Sequence, residues 1–67
     1  MRLMYAAKID ELRKAILLTN ETQAVLTKRA GIGNATLHSA LKGNAVTVST
    51  ANKIAKALGV SVTDIFA

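Results

Sequence analysis

The stretch Gln23-Ala24-Val25-Leu26-Thr27-Lys28-Arg29-Ala30-Gly31-Ile32-Gly33-Asn34-Ala35-Thr36-Leu37-His38-Ser39-Ala40-Leu41-Lys42-Gly43 decides the fold. Leu26 and Ala30 stand four apart, as do Leu37 and Leu41, which is the spacing of one helical face. Thr22 precedes the first of these segments as an N-cap, with Asn20 as a competitor because Gln23 lies three residues after it. The first helix of the pair runs Gln23 to about Ala30, and the second Asn34 to about Lys42, ended by Gly43-Asn44. Only Gly31-Ile32-Gly33 separates them. Gly31 adopts positive φ without steric cost, as a helix C-terminus commonly requires. Three residues are too few to bring two helices antiparallel, so the pair must cross steeply, which is the geometry of a helix-turn-helix.

Outward from this pair the chain also reads as helix. Tyr5, Ile9, Leu12 and Ile16 recur at four, three and four, and predict a first helix whose other face carries Lys8, Asp10, Glu11, Arg13 and Lys14. On the other side, Ala45-Val46-Thr47-Val48 has the branched residues of a short strand. No second strand is evident to pair with it, so it is read as loop with Thr47 as the next N-cap. A fourth helix follows from Val48 to Leu58, with Val48, Ala51, Ile54, Ala55 and Leu58 inward and Lys53 and Lys56 outward. Gly59 stops it, and Ser61-Val62-Thr63-Asp64 has capping-box spacing for a last short helix ending near Phe66. The expectation is one all-α domain over residues 1–67, made of five short helices.

Composition narrows the function. The 67 residues include no cysteine and one histidine, His38, which excludes a disulfide scaffold and leaves no metal site. Four carboxylates scattered along the chain offer no nucleophile–base–orienter set, so an enzyme, a cofactor and a small-molecule ligand are not expected. Nine Lys and Arg against four Asp and Glu give a net charge of +5, which favours a polyanionic partner. No stretch approaches the roughly 18 apolar residues of a bilayer span, and Met1 to Ala7 is too short for a signal peptide, so a cytoplasmic protein is expected. A membrane-surface helix over residues 3–18 is disfavoured by its interleaved acids and its lack of Trp or Phe.

A helix-turn-helix on a basic chain points to duplex DNA. Its first helix braces on the backbone, and its second presents N-terminal residues to base edges in the major groove. Asn34, Ala35, His38 and Ser39 lie at i, i+1, i+4 and i+5, on one face opposite Leu37 and Leu41. Asn34 carries the donor–acceptor pair that matches adenine N6 and N7, the Ala35 methyl suits a thymine methyl, and His38 and Ser39 offer hydrogen bonds to base or phosphate. Asn34 is alternatively a cap, and His38 alternatively an idle surface residue.

Gln23-Ala24-Val25-Leu26-Thr27-Lys28-Arg29-Ala30-Gly31-Ile32, then Ala35-Thr36-Leu37 and Leu41-Lys42-Gly43-Asn44, resembles the helix-turn-helix of the phage repressor and Cro-type (Xre-like) transcriptional regulators. Lys53-Ile54-Ala55-Lys56-Ala57-Leu58-Gly59-Val60-Ser61-Val62, with Asp64-Ile65-Phe66, is similar to that family's closing helices. The resemblance spans roughly residues 5–66. It implies a compact five-helix lambda-repressor-like fold and sequence-specific binding of double-stranded DNA as a dimer, in a Cro-like repressor of phage or bacterial origin. It also implies phosphate contacts by Gln23, Lys42 and Asn44. The helix N-terminus at Gly33 is itself a ready phosphate site, and Lys28 and Arg29 either support binding at longer range or are solvated surface. Val60 and Val62 are candidates for a weak self-interface that forms mainly on DNA. If Ala67 is the natural end, no inducer-binding or self-cleavage domain follows.

Three residues depart from the family pattern. Thr27 stands where alanine is usual, and its hydroxyl fits if it bonds back into its own helix. Ala40 stands where a large apolar residue is common, so Leu41 is expected to carry that packing. Gly33 replaces a Ser or Thr cap, which costs a few tenths of a kcal/mol. The alternative function is a protein-interaction module on the same fold, an antitoxin or anti-repressor, motivated by Val25 and the C-terminal apolar cluster.

Overall fold

The computed structural model describes residues 4–67. The order of elements is β1 (Met4–Tyr5), α1 (Ile9–Thr19), α2 (Gln23–Ala30), α3 (Asn34–Leu41), β2 (Val46–Thr47), α4 (Val48–Leu58) and α5 (Val62–Ile65). Five helices are present among the described residues, with α2 and α4 bounded as their caps predict. Thr22 Oγ1 accepts from Val25 N–H at 3.2 Å, and Thr47 Oγ1 accepts from Thr50 N–H at 3.2 Å. Each cap satisfies an N–H that the first turn leaves without a helical partner. Asn20 does not cap α2. It sits in the left-handed region at φ 57° and ends α1, its N–H donating to Leu17 O. Gly31 ends α2 at φ 75°, and the N–H of Ile32 also returns to Thr27 O, at 3.0 Å. These bonds close the turn before α3. The last helix carries the predicted reciprocal contact, with Ser61 N–H donating to Asp64 Oδ2 at 3.2 Å.

Two expectations of secondary structure need correction. Tyr5 is not helical, because α1 begins only at Ile9. Val46-Thr47 is not a loop, because β1 supplies the missing partner, antiparallel, with Met4 opposite Thr47 and Tyr5 opposite Val46. Thr47 still caps α4, so it serves as strand end and N-cap together. The N-terminal segment continues as a zipper along the C-terminus. Ala6 and Ala67 exchange backbone hydrogen bonds of 3.1 and 2.9 Å, and Lys8 N–H donates to Ile65 O at 2.8 Å. The part of the sequence readings that falls on Met1, Arg2 and Leu3, the rejected signal peptide and the start of the disfavoured membrane-surface helix, lies outside the described residues. No helix among the described residues is long and apolar enough to cross a membrane.

The core is one cluster. Leu12 from α1, Leu26 from α2, Leu37 from α3, Ile54 from α4 and Ile65 from α5 are fully buried, together with Phe66. Each such side chain contributes roughly 1.5–3 kcal/mol of hydrophobic free energy. Every helix therefore places at least one large side chain in the shared core, which holds α2 and α3 at their crossing. Val60 and Val62 are half-buried and pack against this cluster.

The expected exchange of roles between Ala40 and Leu41 does not occur. Ala40 is fully buried and Leu41 only partly. A methyl group at Ala40 lets α3 approach its neighbours closely, and Leu41, one residue on around the helix, turns toward the surface.

Candidate nucleic-acid interface

The second helix of the pair, α3, begins with backbone donors that no side chain caps. Gly33 is in extended conformation (φ −83°, ψ 159°) and has no side chain with which to cap α3. The first N–H groups of this helix thus have no capping side chain from Gly33 and carry the partial positive charge of a helix N-terminus. Asn34, Ala35 and His38 are exposed on the same helix, and Ser39 is half-buried. Opposite them Leu37 is 1% exposed and anchors the helix in the core. The predicted reading face is therefore brought together on one side of α3. Thr36 is half-buried beside it.

The C-terminal half of α3 borders a groove of about 470 Å³ against α1 and the start of α2, lined by Arg13, Ile16, Leu17, Gln23, His38, Leu41 and Lys42. Gln23 and Lys42, assigned separately as backbone-facing residues, thus line a single groove with His38. Lys42 forms the C-cap of α3, and its N–H returns to His38 O at 3.0 Å. Asn44 is exposed just beyond, its N–H donating to Ser39 O at 3.0 Å. Arg13 was not singled out from the sequence. It reads there as one of several charges on the outer face of α1, and only the packing of α1 on α3 turns it toward this groove. Two cations and no carboxylate line the groove, so its field favours an anion such as a backbone phosphate.

One further side chain differs in role from its sequence reading. Arg29 is committed to the protein itself. Its guanidinium pairs with Glu21 and donates from Nη2 to Ala57 O at 2.6 Å, which ties α2 to the end of α4. Lys28 is exposed, with its flank of α2 in solvent. Thr27 is 5% exposed at the α2–α3 crossing. Its hydroxyl lies within hydrogen-bond reach of two acceptors, Ala24 O of its own helix at 3.0 Å and Asn34 Oδ1 at 3.2 Å. The Thr27–Asn34 contact crosses from one helix of the pair to the other and carries no sequence signal of its own. Among the described residues no group of three His, Cys, Asp or Glu side chains is placed to hold a metal ion.

Two short helices joined by a three-residue turn, with the second anchored by Leu37 and open on its outer face, define a helix-turn-helix DNA-binding domain. The chain belongs to the family of Cro/C1-type HTH DNA-binding domains, which matches residues 6–67. The match takes in all five helices. Searches of curated proteins and of solved structures return no significant match. Membership of this family makes the chain a DNA-binding regulator with DNA as its partner.

Proposed function

We propose that residues 1–67 act as a single reading unit, a Cro-like transcriptional repressor of a phage or bacterial cytoplasm that binds operator half-sites as a dimer. In this reading α3 enters the major groove. Asn34, Ala35, His38 and Ser39 face base edges, while Gln23, the N–H groups at Gly33, Lys42 and Asn44 hold phosphates. Arg13 joins the phosphate set. The observation that carries the proposal is the adjacency of the open face of α3 to a groove with cationic lining, which pairs a sequence-reading surface with a backbone-holding one. One helix reads too few base pairs for useful selectivity, so two copies on half-sites about 34 Å apart are required. The exposed remainder of Val60 and Val62 is the apolar surface offered for that contact.

Selection of bound sites from a random duplex pool tests this directly. The expected result is a near-palindrome with a half-site spacing of one helical turn, bound in preference to a scrambled duplex. Equal affinity for the scrambled duplex refutes sequence-specific reading.

A second reading rests on a different observation. Leu17 and Leu18, at the end of α1, are 79% and 81% exposed, and Val25 is 48% exposed. An apolar pair this open favours a protein-interaction module, an antitoxin or anti-repressor on the same fold. Stoichiometric capture of a protein partner, with no operator selected from the pool, is the outcome that supports it.

A further inference from the structure

The hydrogen bonds at Thr27 bear on what Asn34 can read, given the DNA-reading function proposed above. Asn34 stands at the first position of α3 with its side chain in solvent, where an amide ordinarily turns freely between rotamers. Here it is held. Thr27 Oγ1, on a side chain 5% exposed, lies 3.2 Å from Asn34 Oδ1. The same hydroxyl is 3.0 Å from Ala24 O. That carbonyl lies within α2, where the backbone N–H four residues on already serves it. The single hydroxyl proton is therefore available to Asn34 Oδ1, whose side chain has no other bond among the described residues to compete.

We propose that Thr27 is a positioning residue that sets the base preference of Asn34, by holding its Oδ1 inward so that only Nδ2 faces the major groove. An asparagine free to turn pairs with adenine through both atoms, accepting from N6 and donating to N7. An asparagine whose oxygen is engaged behind it presents N–H donors alone. Guanine meets those donors with two acceptors, O6 and N7, whereas adenine meets them with one acceptor and one donor. Asn34 thus selects guanine over adenine at the pair it faces. The selectivity originates in a buried threonine that never touches DNA.

The test compares duplexes that differ only between G·C and A·T at the pair where Asn34→Ala loses discrimination. Thr27→Val keeps the shape of the side chain without its hydroxyl, Thr27→Ala removes the hydroxyl with less bulk, and Thr27→Ser retains it. The wild type is expected to prefer guanine. Thr27→Val and Thr27→Ala are expected to lose roughly threefold to tenfold of that preference, about the worth of one neutral hydrogen bond. Thr27→Ser is expected to keep it. The salt dependence of binding stays unchanged in all three, and Thr27→Val in an Asn34→Ala background has no further effect on base choice. A purely structural threonine would lower affinity for both duplexes alike.

An unaltered base preference in Thr27→Val or Thr27→Ala overturns the proposal, as does a wild type that prefers adenine or an Asn34→Ala variant that loses affinity uniformly. A wild type with no preference on any duplex overturns the DNA-reading function itself, a result distinguishable from these.

Discussion

Replacing Lys42 by alanine removes one of the two cations that line the groove between α1 and α3. On duplex DNA each neutralised phosphate contributes about 0.9 to the slope of log K against log salt. A dimer loses two such contacts, so the slope should flatten by about 1.8. Between 50 and 200 mM salt the logarithm of concentration rises by about 0.6, so the advantage of wild type over variant should shrink about 12-fold across that range. The loss should be the same on operator and scrambled duplex, because a phosphate contact carries no sequence information. Arg13→Ala should behave alike, and the double variant should flatten the slope twice as far. Lys56→Ala serves as the control. Lys56 borders a different groove, with Arg29, Ala30, Lys53 and Ala57, which shares no lining residue with the first. Fluorescence anisotropy titrations at four salt concentrations measure these slopes. An unchanged slope in Lys42→Ala, or a flattening in Lys56→Ala as large as in Lys42→Ala, would show that DNA lies elsewhere.

Three other outcomes follow from the packing. Leu37→Ala should destabilise the domain by about 3–5 kcal/mol, because it empties a fully buried site on α3, and urea denaturation reads the loss. Arg29→Gln should lower stability by about 1 kcal/mol, a modest figure because the side chain is 45% exposed, while leaving the salt slope of DNA binding unchanged. Thermal melting combined with the anisotropy titration separates that structural role from a phosphate contact. Gly59→Ala should cost about 1–2 kcal/mol by thermal melting. The residue ends α4 at φ 72°, and since no atom lies within 4 Å of the added methyl, the cost is conformational rather than a clash.

Local chemistry made much of this protein legible before its structure. Helix ends lie at Thr22, Gly31, Thr47 and Gly59 because each of those residues satisfies or releases backbone groups within a few positions of itself. The turn of three residues, the opposition of Leu37 to Asn34 and His38, and the positive charge are likewise properties of short segments. They sufficed to put Asn34, Ala35 and His38 together on an exposed side of α3.

What only the tertiary structure decided depends on contacts between distant segments. Met4-Tyr5 is too short to show a strand alternation, and Tyr5 stands at helical spacing from Ile9, so only its pairing with Val46 makes it a strand. Ala40 rather than Leu41 is buried because the closeness of helix approach, not side-chain size, selects the inward residue. Arg29 and Arg13 are both cations on amphipathic helices. One is spent on Glu21 and Ala57 O, while the other faces the groove, and no local pattern distinguishes them. The link from Thr27 to Asn34 is of the same kind. Each residue's type is plain in the chain, but a hydrogen bond across a helix crossing exists only once the core has set the angle between α2 and α3.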